Sequence, residues 1–286
     1  MTVKDACIVT DASAQFPKPI FPGSNLLTIV PFKYGCDEKT VRDPDAVKVN
    51  ELPEIVPENL YPLLSPPDVI TLRNIFIQLS QQYRTIFAIF LSNQVCGIYS
   101  NALEAAKTLK GKIDIQVIDS MTTSVGLGLL IQKVIESILA GNDADEIHMK
   151  IRNMIPRLYT LICTPSLSYL HRNRFLEKTQ SIISEMLGII PIYTFEEGRL
   201  TPIEKVNSMH QAYSFYQEFL EEFENIEHIA FVQSIKPNFN DIKTFSDFIF
   251  TTFPDAAFSK NLINVPMSLL FGPQSNSLII LEGGLR

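Results

Sequence analysis

The chain has no tryptophan, and it has only four cysteines and four histidines among 286 residues. The cysteines are Cys7, Cys36, Cys96 and Cys163. Their long spacing, without any C-x-x-C pair, argues against a disulfide framework and predicts ordinary buried thiols. The histidines are His148, His171, His210 and His228. None of them forms an H-x-x-x-H or H-E-x-x-H pair, so we expect no metal site.

The common phosphate-binding and nucleophile motifs are also missing. The sequence contains no G-x-x-x-x-G-K-[ST] loop and no G-x-S-x-G elbow. The pair Gly126-x-Gly128 lacks a third glycine and does not directly follow a strand, so it predicts close packing of a helix. The sequence therefore offers no motif for binding a cofactor.

Charge and hydropathy exclude further classes of protein. The net charge of −7 argues against a nucleic-acid-binding surface, which is normally basic. The longest uncharged stretch, residues 261–281, contains Pro266 and Pro273 and is a poor membrane span. Asp5 and Asp11 interrupt the apolar stretch that a signal peptide would need. We expect a soluble, cytoplasmic protein without a membrane anchor.

The first half alternates short apolar runs with helical patterns. Strands are predicted at residues 6–9, 27–32, 86–91 and 115–118. Helices are predicted at residues 68–83, 99–109 and 125–139, and a turn with a helix start at 141–146. Buried apolar strands separated by helices are typical of a parallel sheet in an α/β fold.

The second half has a different pattern of predicted elements, which favours a second α/β domain with a mixed sheet. Its strands are predicted at residues 158–163, 189–194, 199–200, 229–233, 257–262 and 278–281. A hairpin is expected around residues 196–199, because Gly198 can adopt a positive φ. The expected domains are residues 1–150 and 151–286. The proline-rich stretch 44–67 predicts an irregular excursion over the surface.

Two short segments have the polar groups that could hold an anion. In Ser65-Pro66-Pro67-Asp68, Ser65 is predicted to cap the first long helix, and the same helix N-terminus could face a carboxylate. Ser92-Asn93-Gln94 follows a predicted strand, where ligands of open α/β sheets bind, although an ordinary polar loop fits equally well. The basic run at residues 171–174 is more typical of a solvated helix end.

Ordered segments across nearly the whole chain resemble the DegV family. Residues 8–17 are similar to I-V-T-D-S-S-A-D-L-P, and 91–102 to I-S-S-G-L-S-G-T-Y-Q-S-A. Residues 117–120 with 124–128 resemble V-I-D-S…S-x-G-x-G. Residues 190–192 with 198–206 resemble K-P-I…G-x-I-x-P-x-E-K-V, and Gly272-Pro273 resembles H-x-G-P-G.

This resemblance implies two α/β domains with a long-chain fatty acid buried in a tunnel between them. It implies a bacterial cytoplasmic acyl carrier that is not itself an enzyme and needs no cofactor. As an alternative, it implies that the carboxylate is presented to an ATP-dependent fatty acid kinase subunit, which would perform the phosphotransfer.

The departures from the family pattern concern the head group. Leu64 stands where the family has a carboxylate-contacting Thr, Asn93 where it has the second Ser of S-S-G, and Leu270 where it has His. Arg174 is the nearest match to the Arg of G-G-R. The basic run usual after E-K-V is replaced at residues 207–211 by N-S-M-H-Q, which weakens the case for kinase docking.

The candidate site follows from these matches and departures. The predicted head-group ligands are Ser65, Ser92, Asn93 and Arg174. The predicted pocket-lining residues are Leu64, Gly97, Ile98 and Leu270. We expect lipid binding to persist with an altered head-group preference. A third hypothesis, an unrelated enzyme on the same fold, would need Cys96 as its nucleophile.

Overall fold

The computed structural model of the protein describes residues 4–35, 41–42, 47–57, 60 and 62–284. The chain divides into two compact units. The first unit comprises Met1–Lys33, Ser65–Pro156 and Glu197–Arg199; the second comprises Tyr34–Leu64, Arg157–Glu196 and Leu200–Arg286. The domain boundary near residue 150 stays a prediction, because compact units need not coincide with independently folding domains. In the described part of the chain, no helix is long and apolar enough to cross a membrane.

The elements alternate between strand and helix along most of the chain. The strands are β1 (Lys4–Asp11), β2 (Leu27–Val30), β3 (Lys33–Gly35), β4 (Val41–Arg42), β5 (Leu63–Ser65), β6 (Tyr83–Phe90), β7 (Asp114–Asp119), β8 (Leu158–Cys163), β9 (Ile190–Glu196), β10 (Arg199–Val206), β11 (Ile226–Gln233), β12 (Ala257–Leu262) and β13 (Asn276–Glu282). The helices are α1 (Val69–Ser80), α2 (Ile98–Lys107), α3 (Ser124–Leu139), α4 (Ala144–Met154), α5 (Leu167–Arg172), α6 (Lys178–Met186), α7 (Met209–Glu221), α8 (Phe239–Thr252) and α9 (Val265–Phe271).

The first unit has the predicted parallel sheet, with strand order β2-β1-β6-β7. All three pairings are parallel, and Ile8 lies opposite both Leu27 and Phe87. Every residue from 86 to 90 in β6 is fully buried, as expected for a strand covered on both faces. This sheet confirms the four strands predicted in the first half of the sequence.

Helix α3 packs closely on the chain after β1, and two glycines permit it. A Cβ atom on Gly128 would overlap the backbone carbonyl of Gln15, and one on Gly126 would overlap the side chain of Thr122. The prediction that Gly126-x-Gly128 serves close helix packing is therefore confirmed.

The second unit has a mixed sheet with strand order β10-β9-β8-β13-β11-β12. Strands β11 and β12 are parallel, whereas β13 pairs antiparallel with both β11 and β8. An aromatic cluster, which includes Tyr216, Phe231 and Phe245, packs α7 and α8 on this sheet. Glu197 and Gly198 both have positive φ, so the predicted hairpin between β9 and β10 is confirmed.

The predicted start of α1 is wrong. Asp68 is the N-cap, and its carboxylate accepts a hydrogen bond of 2.7 Å from the backbone N–H of Thr71. Ser65 is instead the last residue of β5. A proline disfavours helical backbone in the residue before it, so Pro67 prevents Pro66 from starting the helix.

The prediction of a surface excursion at residues 44–67 also needs correction. Val47, Leu52 and Val56 are buried, and Val56 N–H donates to Ser168 Oγ at 3.0 Å. The Tyr169 hydroxyl donates to the carbonyl of Pro53 at 2.7 Å. Apart from β5, the described part of this segment is largely irregular but anchored, because side chains of α5 accept from or donate to its backbone groups. Pro44 lies outside the described residues.

Candidate functional site

A buried carboxylate joins the ends of two neighbouring strands in the first unit. Asp11, the last residue of β1, is fully buried. Its Oδ2 accepts a hydrogen bond from Leu91 N–H at 2.8 Å, and its Oδ1 accepts from Ser13 N–H at 2.9 Å. Burial raises the pKa of Asp11, and the hydrogen bonds from Ser13 and Leu91 oppose that rise. Asp11 thus fixes the backbone just before Ser92.

A second carboxylate anchors the same loop from the neighbouring strand. Asp119, the last residue of β7, accepts from the N–H of Asn93 at 3.2 Å and from the N–H of Met121 at 3.0 Å. Burial raises its pKa, and these two backbone hydrogen bonds oppose the rise. Neither Asp11 nor Asp119 is among the site residues predicted from the sequence. Their signal is an acid at the carboxyl end of a strand, within a motif that matches the family.

Ser92 and Asn93, adjacent in this loop, differ in how their side chains are used. The buried Ser92 hydroxyl donates to the carbonyl of Gly198 at 2.5 Å and accepts from Gln94 N–H at 3.3 Å. A hydroxyl has one proton, so Ser92 holds the loop and has no donor left for a ligand in this arrangement.

The Asn93 side chain is partly exposed and keeps donors available. Its Oδ1 accepts from the Ser100 hydroxyl at 2.8 Å, and this hydrogen bond does not use the two N–H groups of Nδ2. Among the residues that the structure describes, none accepts a hydrogen bond from Nδ2. Asn93 is therefore the better equipped of the two predicted ligands to bind an acid.

The other predicted residues of this region lie at element ends. Gly97 is the exposed N-cap of α2, and a Cβ built on it meets no atom within 4 Å. Ile98, the first residue of α2, is fully buried. Leu64 and Ser65 end β5 and are both partly exposed. At the start of α1, where an anion site is predicted, the Asp68 carboxylate accepts the N–H of Thr71.

In the second unit, Arg174 follows α5 by two residues and Leu270 lies in α9; we call these two helices the α5–α9 pair. Helices α5 and α9 pack together, and Asn173 Nδ2 donates to the carbonyls of Leu269 at 2.8 Å and Leu270 at 3.3 Å. Leu270 is buried. Arg174 is exposed, has a φ of 64° and lines an open cavity of about 360 Å³.

The thiol required by the enzyme hypothesis is not activated. Cys96 is buried, and burial raises its pKa to about 12, with Asp11 adding to the rise. Cys7 and Cys163 are also buried and free, as predicted. Cys36 lies outside the described residues. Within those residues, no group of His, Cys, Asp and Glu side chains could hold a metal ion.

The sequence is similar to that of known proteins. Residues 6–282 match the model of a family described as "Uncharacterised protein, DegV family". A DegV domain-containing protein of Caldanaerobacter subterraneus subsp. tengcongensis is 29% identical over 213 residues, which cover 74% of this chain and 75% of that protein. Protein DegV of Bacillus subtilis is 25% identical over 217 residues, 75% of this chain and 76% of that protein.

Solved structures resemble the chain over almost its full length. A fatty acid binding DegV family protein from Streptococcus agalactiae has a TM-score of 0.82 at 19% identity, covering 99% of this chain and 100% of that one. The Streptococcus pneumoniae Fatty Acid Kinase (Fak) B3 protein, loaded with linoleic acid, has a TM-score of 0.81 at 18% identity, covering 98% and 100%. These structures confirm the fold.

Proposed function

Because the chain belongs to the DegV family, we propose that it binds a long-chain fatty acid as an acyl carrier of the cytoplasm, without chemistry of its own. The observation that carries this proposal is the similarity, over 98% of the chain, to a protein loaded with linoleic acid. The position of the hydrocarbon tail stays a prediction of the family resemblance.

The energetics assign different roles to the tail and the head of the ligand. Burying a chain of about fourteen methylenes contributes ~11 kcal/mol at ~0.8 kcal/mol each. Association costs roughly 4–15 kcal/mol, and a hydrogen bond to a charged group contributes only about 1.5–3 kcal/mol. The tail therefore provides most of the attraction, and the polar contacts set orientation and selectivity.

Three of the four predicted head-group residues keep suitable donors. Asn93 has its amide N–H groups, Arg174 its exposed guanidinium and Ser65 a partly exposed hydroxyl. Ser92 contributes indirectly, because its hydroxyl donates to the carbonyl of Gly198 and holds the loop that carries Asn93. The pocket lining proposed for Leu64, Gly97, Ile98 and Leu270 is apolar, so fewer polar groups surround the carboxylate than the family pattern would provide.

Native mass spectrometry of protein purified without detergent tests this proposal directly. We expect a bound mass of a C14–C18 acid and a rise in Tm when such acids are added, because ligand that binds only the folded state stabilises it. Protein that carries no extractable lipid and shows no thermal shift with these acids would contradict the proposal.

Substitution of Asn93 tests the head-group assignment. We expect Asn93→Ala to weaken binding of palmitic acid by about 10-fold or more, the equivalent of a lost hydrogen bond to a charged group. Gln94→Ala is the matched control, since its side chain is exposed in the same loop. Equal affinities of both variants and wild type would remove Asn93 from the site.

Presentation of the fatty acid to a kinase subunit is a second candidate function. The similarity to the Streptococcus pneumoniae Fatty Acid Kinase (Fak) B3 protein favours it. In such a step the fatty carboxylate attacks the γ-phosphorus of ATP, giving an acyl phosphate and ADP, and the kinase subunit performs the transfer. Incubation with a fatty acid kinase subunit, ATP and palmitic acid tests it, because acyl phosphate should form only if this chain presents the acid.

A further inference from the structure

Two buried serines in the α5–α9 pair have unused hydroxyls. Ser166 is 4% exposed and Ser268 is 0% exposed. Across the described residues, neither Oγ has a hydrogen-bond partner. Their neighbours behave differently, because the hydroxyls of Thr164 and Ser275 both donate to the carbonyl of Phe271.

Both serines lie next to Gly272, which follows α9. Ser166 is the N-cap of α5, yet its side chain makes no cap hydrogen bond. Gly272 lies directly against it, with a φ of 93° and no room for a Cβ beside the Ser166 side chain. Ser268 lies within α9, and its carbonyl accepts the N–H of Gly272 at 2.9 Å. The polar loop from Phe271 to Ser275 is thus held by Thr164 and Ser275, and the two other hydroxyls are left over.

The composition of the two helices is compatible with a negatively charged partner for these donors. Neither α5 nor α9 contains an acidic residue, whereas α5 ends with His171 and Arg172, and Arg174 follows. A buried hydroxyl without a partner is unfavourable, and a water or a ligand that accepts its proton removes that cost. A carboxylate can accept from several donors at once.

We propose that Ser166 and Ser268 donate hydrogen bonds to the carboxylate of the bound fatty acid, and that they provide the polar contacts that Leu64 and Leu270 cannot. This inference rests on the proposed function. It adds two hydroxyl donors of the α5–α9 pair to the predicted head-group ligands and makes these two serines determinants of selectivity for an acid over an uncharged lipid.

The test compares one acid and one alcohol of equal chain length. The dissociation constants of palmitic acid and hexadecan-1-ol are measured for wild type, Ser166→Ala, Ser268→Ala and Ser246→Ala. Ser246 is the matched control because it is buried in the same unit and its hydroxyl already donates to the carbonyl of Ile242 at 2.7 Å. The Tm of each lipid-free protein is measured as well.

We expect Ser166→Ala and Ser268→Ala each to weaken palmitic acid binding about 10-fold, while hexadecan-1-ol binding changes less than about twofold. The Tm of both lipid-free variants should equal or exceed that of wild type, because an unpaired buried hydroxyl is removed. Ser246→Ala should lower the Tm and leave the ratio of the two constants unchanged.

Two results would overturn this inference while the proposed function stands. One is an unchanged acid-to-alcohol ratio in both variants, with wild type still binding palmitic acid. The other is a lower Tm of the lipid-free variants with equal losses for acid and alcohol, which would show that the hydroxyls stabilise the fold. A wild type that binds neither lipid contradicts the proposed function itself.

Discussion

The strand-end loops of the first unit and the α5–α9 pair of the second unit use buried polar groups in different ways. In the loops, the carboxylates of Asp11 and Asp119 accept backbone N–H groups. In the helix pair, the hydroxyls of Ser166 and Ser268 have no partner among the residues described. Paired polar groups hold the architecture, whereas unpaired donors are a cost to the fold that a ligand can offset.

The largest effect is expected from disturbing the packing that supports the loops of the first unit. Gly128→Ala should reduce the free energy of unfolding by about 3 kcal/mol or more, because the new Cβ overlaps the backbone carbonyl of Gln15. Urea denaturation measures the change. Gly97→Ala is the control and should cost at most about 1 kcal/mol, since its Cβ meets no atom within 4 Å. Equal losses in the two variants would refute the packing argument.

The next effect concerns the carboxylate that joins β1 to β6. Asp11→Asn should cost about 1–3 kcal/mol, because the amide keeps one acceptor and faces the second backbone N–H with its own donors. Asp255→Asn, at an exposed turn, should stay within about 0.5 kcal/mol of wild type. Thermal and urea unfolding of both variants at neutral pH give the comparison.

The stability difference between wild type and Asp11→Asn should also depend on pH. Burial raises the pKa of Asp11 in the folded state above its unfolded value. Between these two pKa values the folded protein keeps the proton that the unfolded chain loses, so stability falls as the pH rises through this window. The stability of wild type relative to Asp11→Asn should therefore decline with rising pH there, as urea titrations at several acidic pH values can show. A difference that grows with pH would contradict the raised pKa.

A smaller loss of stability is expected when the same Ser→Ala substitution is compared in the two regions. Ser92→Ala removes the donor to Gly198 and the acceptor of Gln94 N–H, and should cost about 1 kcal/mol of stability. Ser166→Ala should cost nothing in the lipid-free protein. A melting comparison of the two variants decides the matter, and a similar loss in both would erase the distinction between paired and unpaired hydroxyls.

The last prediction is that Cys96 does not react with an alkylating reagent in the folded protein. The pKa of its thiol is raised to about 12, so almost no thiolate exists at neutral pH. Iodoacetamide at pH 7 should leave Cys96 unmodified in the folded protein and alkylate it in 6 M guanidinium chloride, as peptide mass mapping would show. Rapid, selective alkylation of the folded protein would revive the enzyme hypothesis.

Local sequence signals predicted the strands well because they depend on near neighbours. The apolar run at 86–91 corresponds to β6, and the strand predicted at 257–262 corresponds to β12. The glycine in 196–199 marks the hairpin between β9 and β10. Local signals were wrong at Ser65, where the Ser-Pro pair resembles a helix start. The second proline moves the cap to Asp68.

The candidate site was predicted only in part, because its polar groups are defined by distant contacts. Asp11 and Leu91 are 80 residues apart, and Ser92 and Gly198 are 106 apart, so the sequence does not show which hydroxyl or carboxylate is already used. The predicted ligands Ser92 and Asn93 looked equivalent. Their hydrogen bonds separate them into a loop anchor and an available donor.

The sequence by itself determined the alternation of elements, the parallel and mixed sheets and the family, since hydrophobic periodicity and ordered motifs lie along the chain. Only the tertiary structure decided which polar side chains are satisfied. Hydrogen bonding is a property of atoms brought together from distant positions, and the buried state of Asp11 and Ser166 exists only after folding. The physical reason is that burial removes water as a hydrogen-bond partner, so a buried donor depends on an acceptor in the protein or in a ligand.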